Sequence, residues 1–195
     1  FVVTILAGDP KLISILLAAF IVGVAIGSLC CTRLSNGKVE PGLVPVGAAG
    51  LSLFAIDLYF SSNVFSAISS QGDMISPAAF LTMSEGLRIL FDLLFIGLFG
   101  GLFIVPIYAM IQQNTEGTTR ARVLSVNNIF NALFMVSGNL MGMLFLSQLG
   151  WTIPQFFLFL ALINLAYMGS IFYLEPLFLN SFHRWRKRLP FQENL

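Results

Sequence analysis

Charged side chains are scarce in this sequence. Only 10% of its 195 residues are charged and 57% are hydrophobic, giving a mean hydropathy of +0.88. A soluble domain has about a quarter of its residues charged, so this composition excludes an ordinary soluble protein. Long apolar runs with few charges instead predict an all-α integral membrane protein, a polytopic helix bundle surrounded by lipid bilayer.

Side chains that commonly carry soluble chemistry are also few. The sequence has one histidine, His183, and two adjacent cysteines, Cys30 and Cys31. Neighbouring cysteines rarely bridge each other, so we expect two small apolar fillers near a helix end. No metal-ligand spacing, phosphate-binding loop, nucleophile elbow or paired catalytic carboxylates occur. We therefore expect no enzyme activity, metal or cofactor in this chain, and no nucleic-acid partner.

Apolar runs are what the sequence has in abundance. Each full run is near the ~20 residues that a helix needs to cross a bilayer. We predict five such spans, at about 12–32, 43–60, 87–112, 123–149 and 153–174. The opening segment 1–7 is apolar but too short to cross. It reads as the end of a further span, and we therefore expect the chain to be a fragment of a longer protein.

The basic residues lie mainly on one side of these spans. Eight of the ten Lys and Arg residues lie within 33–42, 114–122 and 183–190, and only Lys11 and Arg88 belong to the other side. The positive-inside rule places the basic loops and the C-terminus in the cytoplasm. We divide the chain into a transmembrane region, 1–179, and a basic tail or linker, 180–195. Segment 76–83 is either an interfacial helix capped by Ser76 or a plain loop.

Four amides interrupt the fifth span. At about 100° per residue, Asn127, Asn128, Asn131 and Asn139 share one third of the helix circumference with Gly138 and Gly142. Amides without partners are costly in hydrocarbon, so we expect this face to meet other helices or a polar cavity. The amides either join helices or line a substrate path. The two glycines are spaced for close helix packing, as are the pairs Gly23 with Gly27 and Gly97 with Gly101.

Ionisable residues occur inside the apolar runs. Arg88 and Asp92 are four residues apart on the fourth span, so the local geometry predicts a pair. An ionisable group at the depth of Asp92 is a candidate for function, although Arg88 could instead extend to the interface with Asp92 neutralising it. Asp57 is expected near the outer interface. Pro106 is expected to kink or loosen the fourth span.

The stretch "VPIYAMIQQNTEGTTRARVLSVNNIFNALFMV" (105–136) resembles the lysophospholipid transporter branch of the major facilitator superfamily. The form it resembles is fused to a 2-acylglycerophosphoethanolamine acyltransferase and an acyl-carrier-protein synthetase. The residues that carry the resemblance are Pro106, Tyr108, Gln112, Arg120, Arg122, Asn127, Asn128 and Asn131.

The resemblance implies the C-terminal six-helix half of a twelve-helix transporter of the bacterial inner membrane, with its first helix truncated. The missing N-terminal half would then be a partner, and lysophospholipid or another amphiphile the substrate. Arg88, Asp92 and the four asparagines would lie near the substrate path. Segment 27–38 would hold the superfamily's cytoplasmic gating motif around Arg33, in a degenerate form with Thr32 where Asp is usual.

Three alternatives stay open beside this interpretation. The chain could belong to a facilitator for another small solute, since a fold does not fix a substrate. It could be the membrane part of a protein that is mainly an acyltransferase, although residues 1–195 contain no His-x-x-x-x-Asp signature. It could also be a defunct remnant. Lysolipid uptake separates the first alternative from the leading one.

Overall fold

The computed structural model describes residues 1–6, 8–35, 40–69, 75–115, 117–174 and 177–187, and almost all of them are helical. The helices are α1 (Val2–Ile5), α2 (Pro10–Leu34), α3 (Leu43–Ser69), α4 (Pro77–Thr82), α5 (Ser84–Gln113), α6 (Gly117–Met143), α7 (Ile153–Leu174) and α8 (Leu177–Lys187). Five of them, α2, α3, α5, α6 and α7, are long and apolar enough to cross a membrane. Over the described residues, the prediction of an all-α chain with five helices long and apolar enough to be full spans is confirmed.

Local capping explains where two of the helices begin. Asp9 precedes α2, and its Oδ1 accepts a hydrogen bond from the backbone N–H of Lys11 at 2.8 Å. Ser76 precedes α4, and its Oγ accepts from the N–H of Ala79 at 3.2 Å. Each cap is followed by a proline, whose missing N–H costs nothing at the first helical position. Segment 76–83 is therefore a short capped helix rather than a plain loop.

A seam of glycines joins α2 to α5. A Cβ added at Gly23 or Gly27 would overlap the backbone of Leu94 or Leu98, and one added at Gly97 would overlap the carbonyl of Phe20. Residue numbers rise together across the seam, so the two helices run parallel. Without side chains at these positions, the backbones approach closely enough for extensive van der Waals contact. The predicted close packing at both glycine pairs is confirmed.

The other side of α5 packs against α3 through aromatic rings. The Phe54 ring on α3 stacks on Phe95 and Phe99 of α5, with ring centroids 4.7 Å and 5.6 Å apart. Gly47 and Gly50 of α3 lie against Phe103 and Phe99. Numbers fall on α5 as they rise on α3, so this pair is antiparallel. Helix α5 therefore lies between α2 and α3.

Helix α8 contacts one end of this bundle. The indole Nε1–H of Trp185 donates to the carbonyl of Leu34 at 3.1 Å, where α2 ends. A Cβ on Gly42, just before α3, would meet the backbone of Ser181 and Phe182. The basic residues Arg33 and Arg184 thus share one end of the bundle. Of the tail or linker predicted over 180–195, residues 188–195 lie outside the described part of the chain.

Helix α6 makes few contacts with the other helices. None of the residues in its most apolar 18-residue window is buried. A Cβ at Gly138 would meet no atom within 4 Å, and one at Gly142 would meet only the Phe156 ring at 3.7 Å. No helix backbone approaches this glycine pair among the described residues, and the close packing for which the two glycines are spaced stays a prediction. The helix ends in a π-helical turn, Leu144–Gln148.

Candidate functional site

Four polar residues on α3 and α5 form a cluster within the apolar bundle. The Arg88 guanidinium binds Asp57 through two atoms: Nε donates to Oδ2 at 3.0 Å and Nη2 donates to Oδ1. The Ser61 hydroxyl donates to Asp92 Oδ2 at 2.7 Å. Asp57 and Ser61 are one turn apart on α3, and Arg88 and Asp92 are one turn apart on α5. The antiparallel packing gathers these four residues at one place along the bundle, and the bonds between the two helices run diagonally, from Arg88 to Asp57 and from Ser61 to Asp92. We call these four residues the charged cluster.

Arg88 does not pair with Asp92, contrary to the prediction from their spacing. Its two bonds go to Asp57 of the facing helix, and the planar guanidinium matches a carboxylate there in bidentate geometry. Asp92 is left to Ser61, and its carboxyl also interacts electrostatically with Asp57.

The two halves of the charged cluster differ in exposure. The Asp92 residue is only 2% exposed, whereas the side chains of Arg88 and Asp57 are 51% and 35% exposed. A guanidinium has five N–H donors, and the bond to Asp57 uses two of them. Arg88 therefore keeps donors for an anionic group from outside, and Asp57 keeps acceptor sites for a cationic one. The exposed side of the cluster therefore presents N–H donors and carboxylate acceptor sites next to each other.

The amide face of α6 meets α5 at a single hydroxyl. Asn127 and Asn131 both donate through Nδ2 to the Tyr108 Oη, at 3.0 Å and 3.1 Å. Asn139 donates to the carbonyl of Met135 in its own helix at 2.9 Å, and Asn128 is exposed. Two of the four asparagines therefore join helices, as one of the two interpretations had it. Asn128 and Asn139 make no bond to another helix among the described residues, so the alternatives of a helix contact and a polar cavity stay open for that part of the face.

The structure separates the predicted path residues into two groups. Tyr108 follows Asp92 by 16 residues on α5, which is about 24 Å at 1.5 Å per residue. The charged cluster and the amides of α6 thus lie toward opposite ends of the bundle, and they do not form one site.

The residues predicted to act in gating or packing have different surroundings. Arg33 is exposed in the last turn of α2, and residues 36–38 of the predicted motif lie outside the described part of the chain. Pro106 is buried, and α5 continues through it to Gln113. Gly23 and Gly27 belong to the seam described above.

Three polar residues that sequence reasoning did not single out have clear roles. Ser61 holds Asp92, and Asn164 of α7 donates to Ser52 Oγ at 2.8 Å and to the Ala48 carbonyl at 3.2 Å. A lone asparagine in the apolar run "LALINLAY" was an available signal, because an amide in a membrane span needs a partner. Ser61 gave none, since serine in a helix usually bonds its own backbone.

No group of three His, Cys, Asp or Glu side chains that could hold a metal ion occurs among the described residues. The charged cluster itself offers one guanidinium, two carboxylates and one hydroxyl. Comparisons of the chain with protein-family models, with curated proteins and with solved structures gave no match.

Proposed function

We propose that this chain is part of a secondary transporter that moves lysophospholipid across the bacterial inner membrane, and that it forms the C-terminal half of a major facilitator fold. The observation that carries the proposal is the charged cluster. Asp92 is buried on an apolar helix beside a cross-helix arginine–carboxylate pair. Ionisable groups inside membrane spans are costly and commonly mark a substrate or ion path.

The chemistry of an amphiphile suits such a chain. A lysophospholipid needs polar contacts for its headgroup and apolar surface for its single acyl chain. The free donors of Arg88 and the free acceptors of Asp57 serve a headgroup that contains a phosphate and an ammonium. The broad apolar surface of α2, α6 and α7 can contact the acyl chain of the lipid.

The distribution of basic residues supports an orientation for the transporter. Arg33 and Arg184 lie at the end of the bundle where α2 ends and α3 begins, and Arg120 binds the Gln112 carbonyl where α5 ends. By the positive-inside rule this end faces the cytoplasm. The charged cluster then lies toward the outer end of α3 and α5.

Uptake of labelled lysophosphatidylethanolamine by cells tests the proposal. Cells that express the full-length protein are compared with cells that express Asp92→Asn and with cells that express Glu85→Gln. Both changes turn a carboxylate into an amide on α5, but Glu85 is half-buried in the first turn of the helix and is not part of the charged cluster. Removing a charged hydrogen-bond partner costs about 1.5–3 kcal/mol, so we expect Asp92→Asn to lower the initial uptake rate by at least about tenfold. Glu85→Gln should leave the rate unchanged.

Membrane insertion of each variant is measured on the same cells by surface labelling. Equal uptake by Asp92→Asn and the unsubstituted protein would assign Asp92 a purely structural role. If the full-length protein is inserted but takes up no lysolipid, the substrate assignment is refuted. The remaining hypothesis is then a facilitator for another small solute.

A further inference from the structure

One face of α2 is an exposed apolar stripe that ends in an arginine. Val22, Ile26 and Leu29 are 48%, 40% and 67% exposed, and Arg33 in the last turn is exposed too. At about 100° per residue, these four residues lie within roughly 60° of the helix circumference. The glycine seam that contacts α5 lies on another side of the helix. The stripe is therefore open to lipid among the described residues.

The stripe has the length of one bilayer leaflet. From Val22 to Arg33 the helix rises by about 17 Å at 1.5 Å per residue. Half of a hydrocarbon core of ~30 Å is about 15 Å. A phospholipid with an acyl chain along the stripe would thus have its headgroup at the level of Arg33. By the orientation proposed above, this lipid belongs to the cytoplasmic leaflet.

Helix α8 brings a second arginine to the end of the stripe. The Trp185 indole donates to the carbonyl of Leu34, which follows Arg33, and Arg184 directly precedes Trp185. The Arg184 side chain is exposed, and its Nη2 donates to Ser181 Oγ in the same helix at 3.1 Å. A guanidinium has five N–H donors, so most of the donors of Arg184 remain free.

The apolar side of α8 holds this arginine in place. Trp185 packs against the buried cluster that includes Cys31 and Leu43, at the end of α2 and the start of α3. The Phe182 ring lies 6.0 Å from the Trp185 ring, between centroids. Arg184 therefore belongs to a packed helix rather than to a free tail, and its position next to the end of α2 is fixed.

The charge at this end of the bundle is unbalanced. Neither Arg33 nor Arg184 forms an ion pair with a described carboxylate. Glu40, before α3, is the acidic residue described at this end, and it already has an interaction partner. A phosphate with net negative charge complements the two arginines. A zwitterionic headgroup fits less well, because it brings a cation with its phosphate.

We propose that the ends of α2 and α8 bind an anionic diacyl phospholipid of the surrounding bilayer. Its phosphate accepts hydrogen bonds from Arg33 and Arg184, and one of its acyl chains lies along the apolar stripe of α2. This lipid is a bound component of the membrane and not a transported substrate. The site is separate from the charged cluster, which lies toward the other end of the bundle.

Native mass spectrometry of the full-length protein in detergent micelles tests the choice of headgroup. Dioleoylphosphatidylglycerol and dioleoylphosphatidylcholine have the same acyl chains, so the ratio of their affinities isolates the effect of headgroup charge. One arginine near an anionic headgroup favours binding by about fivefold. For two arginines we expect phosphatidylglycerol to occupy its first site roughly 25-fold more tightly than phosphatidylcholine. Equal affinities would overturn the proposal.

Three substitutions locate the preference. Arg33→Gln and Arg184→Gln should each weaken phosphatidylglycerol binding by about fivefold and leave phosphatidylcholine binding unchanged. The control, Lys11→Gln, removes an exposed cation from the opposite end of α2 and should change neither. An equal loss in all three variants would indicate a diffuse effect of net charge and overturn the site, as would an unchanged preference in the Arg33→Gln, Arg184→Gln double variant. Thermal unfolding checks that the variants are folded; if one is not, the headgroup comparison on the unsubstituted protein decides alone.

Photolabelling locates the acyl chain. The full-length protein in phosphatidylcholine nanodiscs receives phosphatidylglycerol with a diazirine in its chain, and we expect labels on segment 22–33. Labels elsewhere but not on this segment would show that another part of the protein covers the stripe, and would overturn the proposal. Displacement of the lipid by an equal concentration of glycerol phosphate would do the same, because the site would then recognise a soluble phosphate. None of these measurements uses lysolipid, so a failure of the proposed transport leaves their result unaffected.

Discussion

The glycine seam between α2 and α5 makes a sharp prediction about stability. A Cβ at Gly101 would lie 2.8 Å from both the Val24 carbonyl oxygen and the Ser28 backbone nitrogen, whereas ordinary Cβ contacts are 3.4–4 Å. Both neighbours are backbone atoms and cannot turn away. Gly101→Ala must therefore shift the helices by about 0.6 Å, and overpacking of this kind costs about 1–3 kcal/mol.

A second glycine serves as the control for this change. Gly169 on α7 is also helical, but a Cβ there would meet nothing within 4 Å. Gly169→Ala removes the backbone freedom of glycine without a clash, so it should stabilise the protein by about 0.5–1 kcal/mol. The same chemical change is thus expected to have opposite signs at the two positions.

Equilibrium unfolding in mixed micelles, followed by helical circular dichroism, measures both effects. The expected loss for Gly101→Ala corresponds to an unfolding equilibrium about five- to a hundredfold less favourable to the folded state. A Gly101→Ala protein as stable as Gly169→Ala would refute the close packing of α2 on α5. Gly138→Ala should behave like Gly169→Ala, because Gly138 also faces open space.

Three further predictions concern the polar residues. Ser61→Ala should destabilise the protein by about 1–3 kcal/mol, because buried Asp92 loses its hydrogen-bond donor. Ser62→Ala removes a hydroxyl that has no partner among the described residues, so it should be neutral or stabilising in the same unfolding assay. Tyr108→Phe should lower the free energy of unfolding by about 1 kcal/mol, since two interhelical hydrogen bonds at ~0.6 kcal/mol each are lost. Tyr167→Phe, on the exposed surface of α7, should change stability little. Equal stabilities of the two variants would show that the bonds from Asn127 and Asn131 to Tyr108 do not hold α6 to α5. Asn131→Leu should lower the initial uptake rate by about threefold, which corresponds to the loss of one interhelical hydrogen bond of ~0.6 kcal/mol. Ile129→Leu should leave the rate unchanged. Similar rates in the two variants would show that the amide face of α6 takes no part in transport.

The main helices could be predicted from hydropathy because each span is a continuous apolar run. The glycine pairs on α2 and α5 could be identified as close-packing steps, since three intervening residues place both glycines on one helix face. The contact between these two glycine pairs could not be predicted from the sequence, because spacing within one helix does not identify the helix that packs against it. The same spacing at Gly138 and Gly142 occurs on a face that no described helix covers.

The partner of Arg88 illustrates the limit of local geometry. Spacing along α5 offers Asp92, four residues away, and nothing in that stretch of sequence identifies a carboxylate 31 residues earlier. The choice of Asp57 depends on the register between α3 and α5, which is determined by the stacked phenyl rings of Phe54, Phe95 and Phe99. The helical wheel placed Asn127 and Asn131 on one face, and both do bind one acceptor. It could not identify Tyr108 as that acceptor.

The parallel pairing of α2 and α5 has a consequence for biosynthesis. The two helices are separated by all of α3, so about 80 residues are made between the end of α2 and the end of α5. At about 5–20 residues per second, the glycine stripe of α2 waits roughly 4–16 s for its partner. During that interval α2 and α3 have been made but α5, which packs between them, has not. The glycine stripe of α2 is then open to contact with other helices in place of α5.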